Sequence, residues 1–200
     1  MSSFKKIIIA SNNAHKVHEI KNILKDFPYE VVSLKEAGVD VEIEENGRTF
    51  EENAYIKAKT ILDLTGQAVL ADDSGLEVDA LGGEPGVLSA RYSGVHGDDK
   101  ANNRKLLDKL KNVPEEKRTA RFVCAMVLLT PDGHSINTKG TVEGIIGYEE
   151  IGNNGFGYDP LFYIPEKHKT FAQLSEDEKN SISHRGNALK VLCEKLKEIQ

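Results

Sequence analysis

Two long β segments, residues 119–130 and 135–147, are separated by only a few residues around the turn Pro131-Asp132-Gly133. So short a turn between apolar, β-branched runs predicts an antiparallel hairpin. Elsewhere strands and helices interleave, the pattern of a parallel sheet. A chain that does both is expected to form a mixed α/β sheet rather than a purely parallel one.

The remaining elements follow from periodicity. Residues 6–10 include Ile7-Ile8-Ile9-Ala10, a short buried strand. A polar loop follows, and then Val17, Ile20, Ile23, Leu24 and Phe27 recur at helical spacing until Pro28 stops the pattern. A second strand is expected over residues 30–33 and a helix over residues 50–65, with Ala54, Ala58, Ile61, Leu62 and Thr65 facing the core and Gly66 as the C-terminal cap. Residues 68–71 form a further short strand, expected to end at Asp72-Asp73, where a sharp Ser74-Gly75 turn exposes its tip. Residues 82–97 read as a loop rich in glycine and serine, and residues 98–111 as a helix ended by Pro114. Ser175 with Glu178 is a capping-box pattern. The last helix carries Ala188, Leu189, Leu192, Leu196 and Ile199 on one face. With no repeat or linker, residues 1–200 are expected to be one domain.

Charge narrows the function. The net charge is -6, with no basic stripe to attract nucleic acid or an anionic membrane. A polyanion must then be held by a local group of donors or a metal. Cys124 and Cys193 lie far apart in apolar stretches and read as buried thiols rather than a disulfide or metal pair. The apolar run at residues 7–10 is too short for a secretion signal, so a cytoplasmic location is expected.

Five stretches carry side chains suited to chemistry. Ser11-Asn12-Asn13-Ala14-His15-Lys16 joins a strand to a helix, where backbone N–H groups and the helix dipole favour a phosphate. Taken alone it reads as a helix N-cap by Asn12 or Asn13 with a solvated lysine. Asp72-Asp73 stands apart: adjacent carboxylates after a buried strand need cations nearby, and carboxylate oxygens are what Mg²⁺ takes. A carboxylate there can also deprotonate an attacking water. Among Glu42, Glu44 and Glu45, strand alternation puts Glu42 and Glu44 on one face, and Glu44 is the expected second metal ligand, ahead of Glu45. Gly155-Phe156-Gly157-Tyr158-Asp159-Pro160 offers aromatics on which a base can stack, or simply a turn with core aromatics. Lys179 and Ser183-His184-Arg185-Gly186 add cations near a helix start, a surface pair unless a base lies beside them.

Together with Thr49-Phe50-Glu51-Glu52-Asn53-Ala54, Lys57-Ala58 and the stretch GVLSARYSG at residues 86–94, these motifs resemble, in order and spacing, the inosine triphosphate pyrophosphatases, also described as XTP/dITP diphosphatases. The resemblance implies an elongated α/β fold with a long mixed central sheet and two lobes around a substrate cleft. It also implies a homodimer and a Mg²⁺ requirement. Within that family the second aspartate of Asp72-Asp73-Ser74-Gly75 is catalytic, which falls on Asp73, with Ser74 beside the substrate. Ser11 to Lys16 would hold phosphates; Phe156, Gly157, Tyr158, Asp159, Lys179, His184 and Arg185 would surround a purine, with Arg185 or a backbone N–H aimed at a 6-keto oxygen. The expected reaction converts ITP, dITP or XTP to the monophosphate and pyrophosphate. The alternatives are a Maf-type pyrophosphatase acting on other nucleotides and a nucleotide sensor without catalysis.

Overall fold

The computed structural model describes residues 5–198; Ile199, expected on the last apolar face, lies outside them. Seven strands form one mixed sheet in the order β2-β1-β3-β4-β5-β6-β7. They are β1 (Lys6–Ile9), β2 (Glu30–Ser33), β3 (Ala68–Val78), β4 (Thr119–Leu129), β5 (Ser135–Ile146), β6 (Phe162–Ile164) and β7 (Lys169–Thr170). The helices are α1 (Ala14–Leu24), α2 (Phe50–Thr65), α3 (Asp99–Leu110), α4 (Glu176–Ile182) and α5 (His184–Glu198). β1 runs parallel to β2 and β3, whereas β5, β6 and β7 pair antiparallel. The expected mixed α/β class is therefore the one adopted. At the hairpin turn, Thr130 N–H donates to His134 O at 3.0 Å and Gly133 N–H to Thr130 O at 3.0 Å. No helix among the described residues is long and apolar enough to cross a membrane.

The chain packs as two compact units. The first comprises residues up to Asp73, Cys124–Gly140 and the residues from Arg185 on. Its strands alternate between two apolar faces. Ile7, Ile9, Leu70, Cys124, Met126 and Leu128 pack with Ile20 and Leu24 of α1 and with Ala188, Leu189, Leu192 and Leu196 of α5. Ile8, Ala10, Val69, Ala71, Val127 and Leu129 pack on the other side with Ala54, Ala58 and Ile61 of α2. Strands covered on both faces need apolar side chains at every position, which explains the uninterrupted run at β1. Truncating any one of these leucines or isoleucines to alanine costs about 2–5 kcal/mol.

The expected caps at Gly66 and at Ser175 with Glu178 are adopted, and the structure adds one at Thr49. Thr49 caps α2, its hydroxyl accepting from Glu52 N–H at 3.1 Å, and Gly66 closes the helix in the left-handed conformation at φ 63°. Ser175 and Glu178 form the capping box of α4.

The second unit comprises Ser74–Val123 and Thr141–His184. Its core gathers Leu76 and Val78 of β3, Ala120 and Phe122 of β4, Ile146 of β5, Leu106 and Leu110 of α3, and Phe162 and Phe171. The loop at residues 82–97 contains a 3-10 segment, Gly86–Arg91.

One element differs from expectation in a way that matters. β3 does not stop at Asp72 but continues through Asp73-Ser74-Gly75 to Val78. Leu76 and Val78 keep the period-two burial, so the strand gains core contacts by continuing, and Gly75 turns nothing.

Candidate active site

Because β3 is continuous, the two aspartates point to opposite faces of the strand. Each meets its own cations. Asp72, fully buried, lies on the α1 and α5 side. Lys16 of α1 is 3.2 Å from its Oδ2, and Arg185, in the first turn of α5, donates to the same oxygen at 3.0 Å. Arg185 donates through its other terminal nitrogen to Glu19. Burial opposes the charge on Asp72, but Lys16, Arg185 and Lys57 outweigh it and hold the carboxyl well below its usual range. Burial pushes the neighbouring Cys124 thiol up to about 12, with Asp72 adding to the rise, so it is protonated and inert at neutral pH.

Asp73, 6% exposed, faces α2. Asn53 Nδ2 donates to its Oδ2 at 3.1 Å, and Lys57 Nζ to its Oδ1 at 3.3 Å. Asn53 and Lys57 are one helical turn apart and so share a face. Lys57 also donates to Glu45 at 3.1 Å. Burial raises the Asp73 carboxyl above its ordinary value, and Lys57 and Lys16 only partly offset this. Lys57 is raised: burial works against its charge, but Asp73, Asp72 and Glu45 prevail.

Glu44 is not the residue brought here. The stretch at residues 41–46 has no regular structure, so no strand alternation sorts its glutamates. Glu42 and Glu44 are exposed, while Glu45 is half-buried against Lys57.

The strand-to-helix loop is also more occupied than expected. Asn13 is the N-cap of α1, its Oδ1 accepting from His15 N–H at 3.0 Å and Lys16 N–H at 3.2 Å. Ser11 Oγ accepts from Asn13 N–H at 3.2 Å. Asn12, Asn13, Ala14 and His15 are exposed, and Lys16, far from being solvated, reaches Asp72.

The fit of a divalent cation can be judged from the donor set. Four carboxylates, of Glu19, Glu45, Asp72 and Asp73, face three cations, of Lys16, Lys57 and Arg185. Such an acidic cluster repels a triphosphate unless a further cation joins it. On the face toward α2, the carboxylates of Asp73 and Glu45 both meet the ammonium of Lys57, two negative charges against one positive, which leaves that pair the capacity for a divalent cation. No group of three or more His, Cys, Asp or Glu suited to a metal exists among the described residues. Mg²⁺ needs none, since it usually takes one or two carboxylates and fills its shell with water and phosphate.

The second unit holds the other predicted residues. Gly155 and Gly157 adopt positive φ, 75° and 61°. At Gly155 a Cβ would lie 2.1 Å from Asp159 Oδ2, so this position admits only glycine. Phe156 N–H donates to Asp159 Oδ2 at 2.9 Å, and Lys179 Nζ donates to the same oxygen at 2.7 Å. Lys179 also stands 4.7 Å from the Phe156 ring centroid, over its face. Phe156 is half-buried, while Tyr158 is buried and its hydroxyl donates to Ser89 O at 2.9 Å. His184 stacks on Phe122 at 4.8 Å. Ser74 is half-buried directly after Asp73.

Asn53 and Lys57 stand in the motifs without an assigned role, and Glu19 carries none either. The available signal was polar residues at core-facing helical positions: Asn53 and Lys57 each directly precede an alanine of the α2 stripe, and Glu19 precedes Ile20.

The sequence matches the Ham1 family over residues 7–195. It is 55% identical over 201 residues to the dITP/XTP pyrophosphatase of Clostridium perfringens, with 98% of each chain covered. It is 50% identical over 196 residues to the dITP/XTP pyrophosphatase of Bacillus subtilis, covering 98% of this chain and 99% of the relative. Among solved structures, the Ham1 protein of Staphylococcus aureus superposes with a TM-score of 0.88 at 47% identity, covering 98% of this chain and all of that one. A mixed sheet with aspartates on opposite faces of one strand, the motifs that surround it, and agreement along nearly the whole chain lead to one assignment: the protein belongs to the Ham1 family.

Proposed function

We propose that this chain hydrolyses purine nucleoside triphosphates with a 6-keto base (dITP, XTP and ITP) to the monophosphate and pyrophosphate. The observation that carries the reading is the buried pair Asp72 and Asp73, one clamped by Lys16 and Arg185, the other by Asn53 and Lys57. The pyrophosphatase names of relatives that match from end to end agree with it.

Lys16 and the loop from Ser11 bind phosphate oxygens, with Asp72 holding the ammonium of Lys16 in place. Asp73 accepts a proton from the water whose oxygen attacks the α-phosphorus, and the bond to the β-phosphate bridging oxygen breaks. Lys57 steadies Asp73 and Glu45. Asp73 and Glu45 are the residues that would hold Mg²⁺, which would there supply neutralisation of negative charge on the phosphates. Phosphoryl transfer depends mainly on such positioning and electrostatics.

The base is assigned to Phe156, Asp159, Lys179 and His184, stacked on the Phe156 ring. Lys179 presents N–H donors and no acceptor, which suits a 6-keto oxygen and not the 6-amino group of adenine. Unmatched buried polar groups cost about 1–3 kcal/mol each, enough to separate ITP from ATP. Arg185 contributes through Asp72 and Glu19 rather than at the base edge. The homodimer implied by the family resemblance and the cytoplasmic location expected from the short apolar run at residues 7–10 are part of the same proposal, and a sedimentation profile of monomer alone at micromolar concentration overturns the dimer.

Release of pyrophosphate and orthophosphate from ITP, XTP, dITP, GTP, ATP and dTTP, with and without Mg²⁺, tests the reaction. Metal-dependent pyrophosphate release favouring ITP and XTP is expected. Orthophosphate with a diphosphate product places the attack at the γ-phosphorus and overturns the mechanism. A pyrimidine preference moves the chain to the Maf-type reading, and tight binding without turnover to the sensor reading. Glu45→Gln is expected to raise the Mg²⁺ concentration for half-maximal rate about tenfold, the effect of losing one charged ligand contact, and Glu44→Gln to leave it unchanged. The reverse pattern restores Glu44 as the ligand.

A further inference from the structure

The loop from Gly155 to Asp159 is fastened from a second side. Asp99, the first residue of α3, accepts the Gly157 N–H on Oδ2 at 2.7 Å. Asn103, one turn further along the same face, donates from Nδ2 to Gly157 O at 3.2 Å. One residue's amide N–H and carbonyl are thus both held by a single helix. Asn103, on the inward face of α3, is 2% exposed, so its position is fixed by burial. Asp98 caps the helix through Ala101 N–H at 3.0 Å, leaving the Asp99 carboxylate to the loop.

Gly157 is the hinge on which this matters. Its φ of 61° is one that glycine adopts freely, so what fixes the peptide here is its hydrogen bonds to the two α3 side chains. It lies directly between Phe156, whose ring carries Lys179 on its face, and Tyr158, whose hydroxyl is tied to Ser89 O. On the inner side the loop is already bonded through Asp159 to Phe156 N–H and Lys179. The α3 clamp adds a second set of bonds, on the outer side, that resists movement of the Phe156 ring away from its place.

We infer that Asp99 and Asn103 are positioning residues for base recognition, setting the Phe156 ring through the Gly157 peptide without touching substrate. This rests on the assignment of the base to Phe156. A clamp of this kind acts on binding of the base, and not on the groups that handle phosphate.

The test compares wild type, Asp99→Ala, Asp99→Asn and Asn103→Ala for ITP turnover, for inhibition by inorganic tripolyphosphate (a probe with no base) and for thermal melting. Asp99→Ala and Asn103→Ala are expected to raise KM for ITP about tenfold, the effect of one lost hydrogen bond to a charged or buried group, with kcat within about twofold of wild type. Asp99→Asn, which keeps an acceptor for Gly157 N–H, is expected to recover most of the loss. Inhibition by tripolyphosphate is expected to stay as in wild type. An unchanged KM in Asp99→Ala overturns the inference. So does an equal weakening of tripolyphosphate inhibition, which makes the contact a general structural one. Failure of wild type itself to hydrolyse any purine triphosphate overturns the functional reading instead, and is seen before any variant is compared.

Discussion

Asp73→Asn is expected to lower kcat for ITP by about a thousandfold, within the range of roughly 10²–10⁴ that a positioned general base supplies. The amide has the size of the carboxylate, so the face of β3 toward α2 stays filled. Its oxygen can still accept from Asn53 Nδ2 or from Lys57, which hold the carboxylate at 3.1 and 3.3 Å. Lys57 keeps Glu45 as a partner. What is lost is the charge and the lone pair that takes the proton. The melting temperature should therefore shift by only about 2–4 °C, corresponding to about 1 kcal/mol in a chain of this size. Measuring pyrophosphate release beside a thermal melt separates the two effects. A variant that melts normally and retains more than about a tenth of wild-type kcat removes Asp73 from the proton transfer. The same substitution at Asp72 should behave differently, because an amide there cannot answer both Lys16 and Arg185 with charge.

That difference between adjacent aspartates shows what could be read in advance. The sequence pattern places α2 and α3 within a residue and finds α1 and α5, although the α1 pattern runs on to Phe27, past the helix end at Leu24, because helices covering a sheet must present one stripe and strands buried on both faces must be apolar throughout. The hairpin turn and the capping residues are local chemistry and are legible for the same reason. β3 was misjudged because Asp-Asp-Ser-Gly looks like a strand end when polarity alone is weighed. What continues the strand is the burial of Leu76 and Val78, a tertiary effect. The site residues fell into place unevenly for a related reason. Asp73 stands out by type and position, whereas Lys16, read alone, is a solvated lysine beside a helix N-cap. Glu45 could not be chosen over Glu44, since in an irregular segment no periodicity says which side chain turns toward Lys57. Glu19 is 166 positions from Arg185 in sequence, and nothing local joins them.

Arg185→Ala is expected to be the most damaging single change to stability. The guanidinium is 1% exposed and bridges Glu19 and Asp72, which are themselves buried. Its removal leaves two carboxylates in the core with Lys16 as the remaining cation on Asp72, and breaking a buried pair in this way costs about 3–5 kcal/mol. Arg185→Lys should recover only part, because an ammonium lacks the planar fork that reaches two carboxylates at once. The pH dependence has a definite sign. Asp72 is held below its ordinary value of 3.8, so the stability it contributes is present above that value and lost as the pH falls toward the lowered folded value. Wild type and Arg185→Ala should therefore keep their difference from neutral pH down to about pH 4 and converge below it, which denaturant unfolding at about pH 7, 4 and 2.5 measures. A gap that widens in acid would mean that Asp72 is not the group Arg185 sustains. Turnover by the folded fraction of Arg185→Lys then decides how the arginine serves the reaction. If it acts through Asp72 and Lys16, kcat falls and the preference for ITP over ATP persists. If that preference collapses while kcat holds, the guanidinium reads the base edge directly, and the donor for the 6-keto oxygen is Arg185 rather than Lys179.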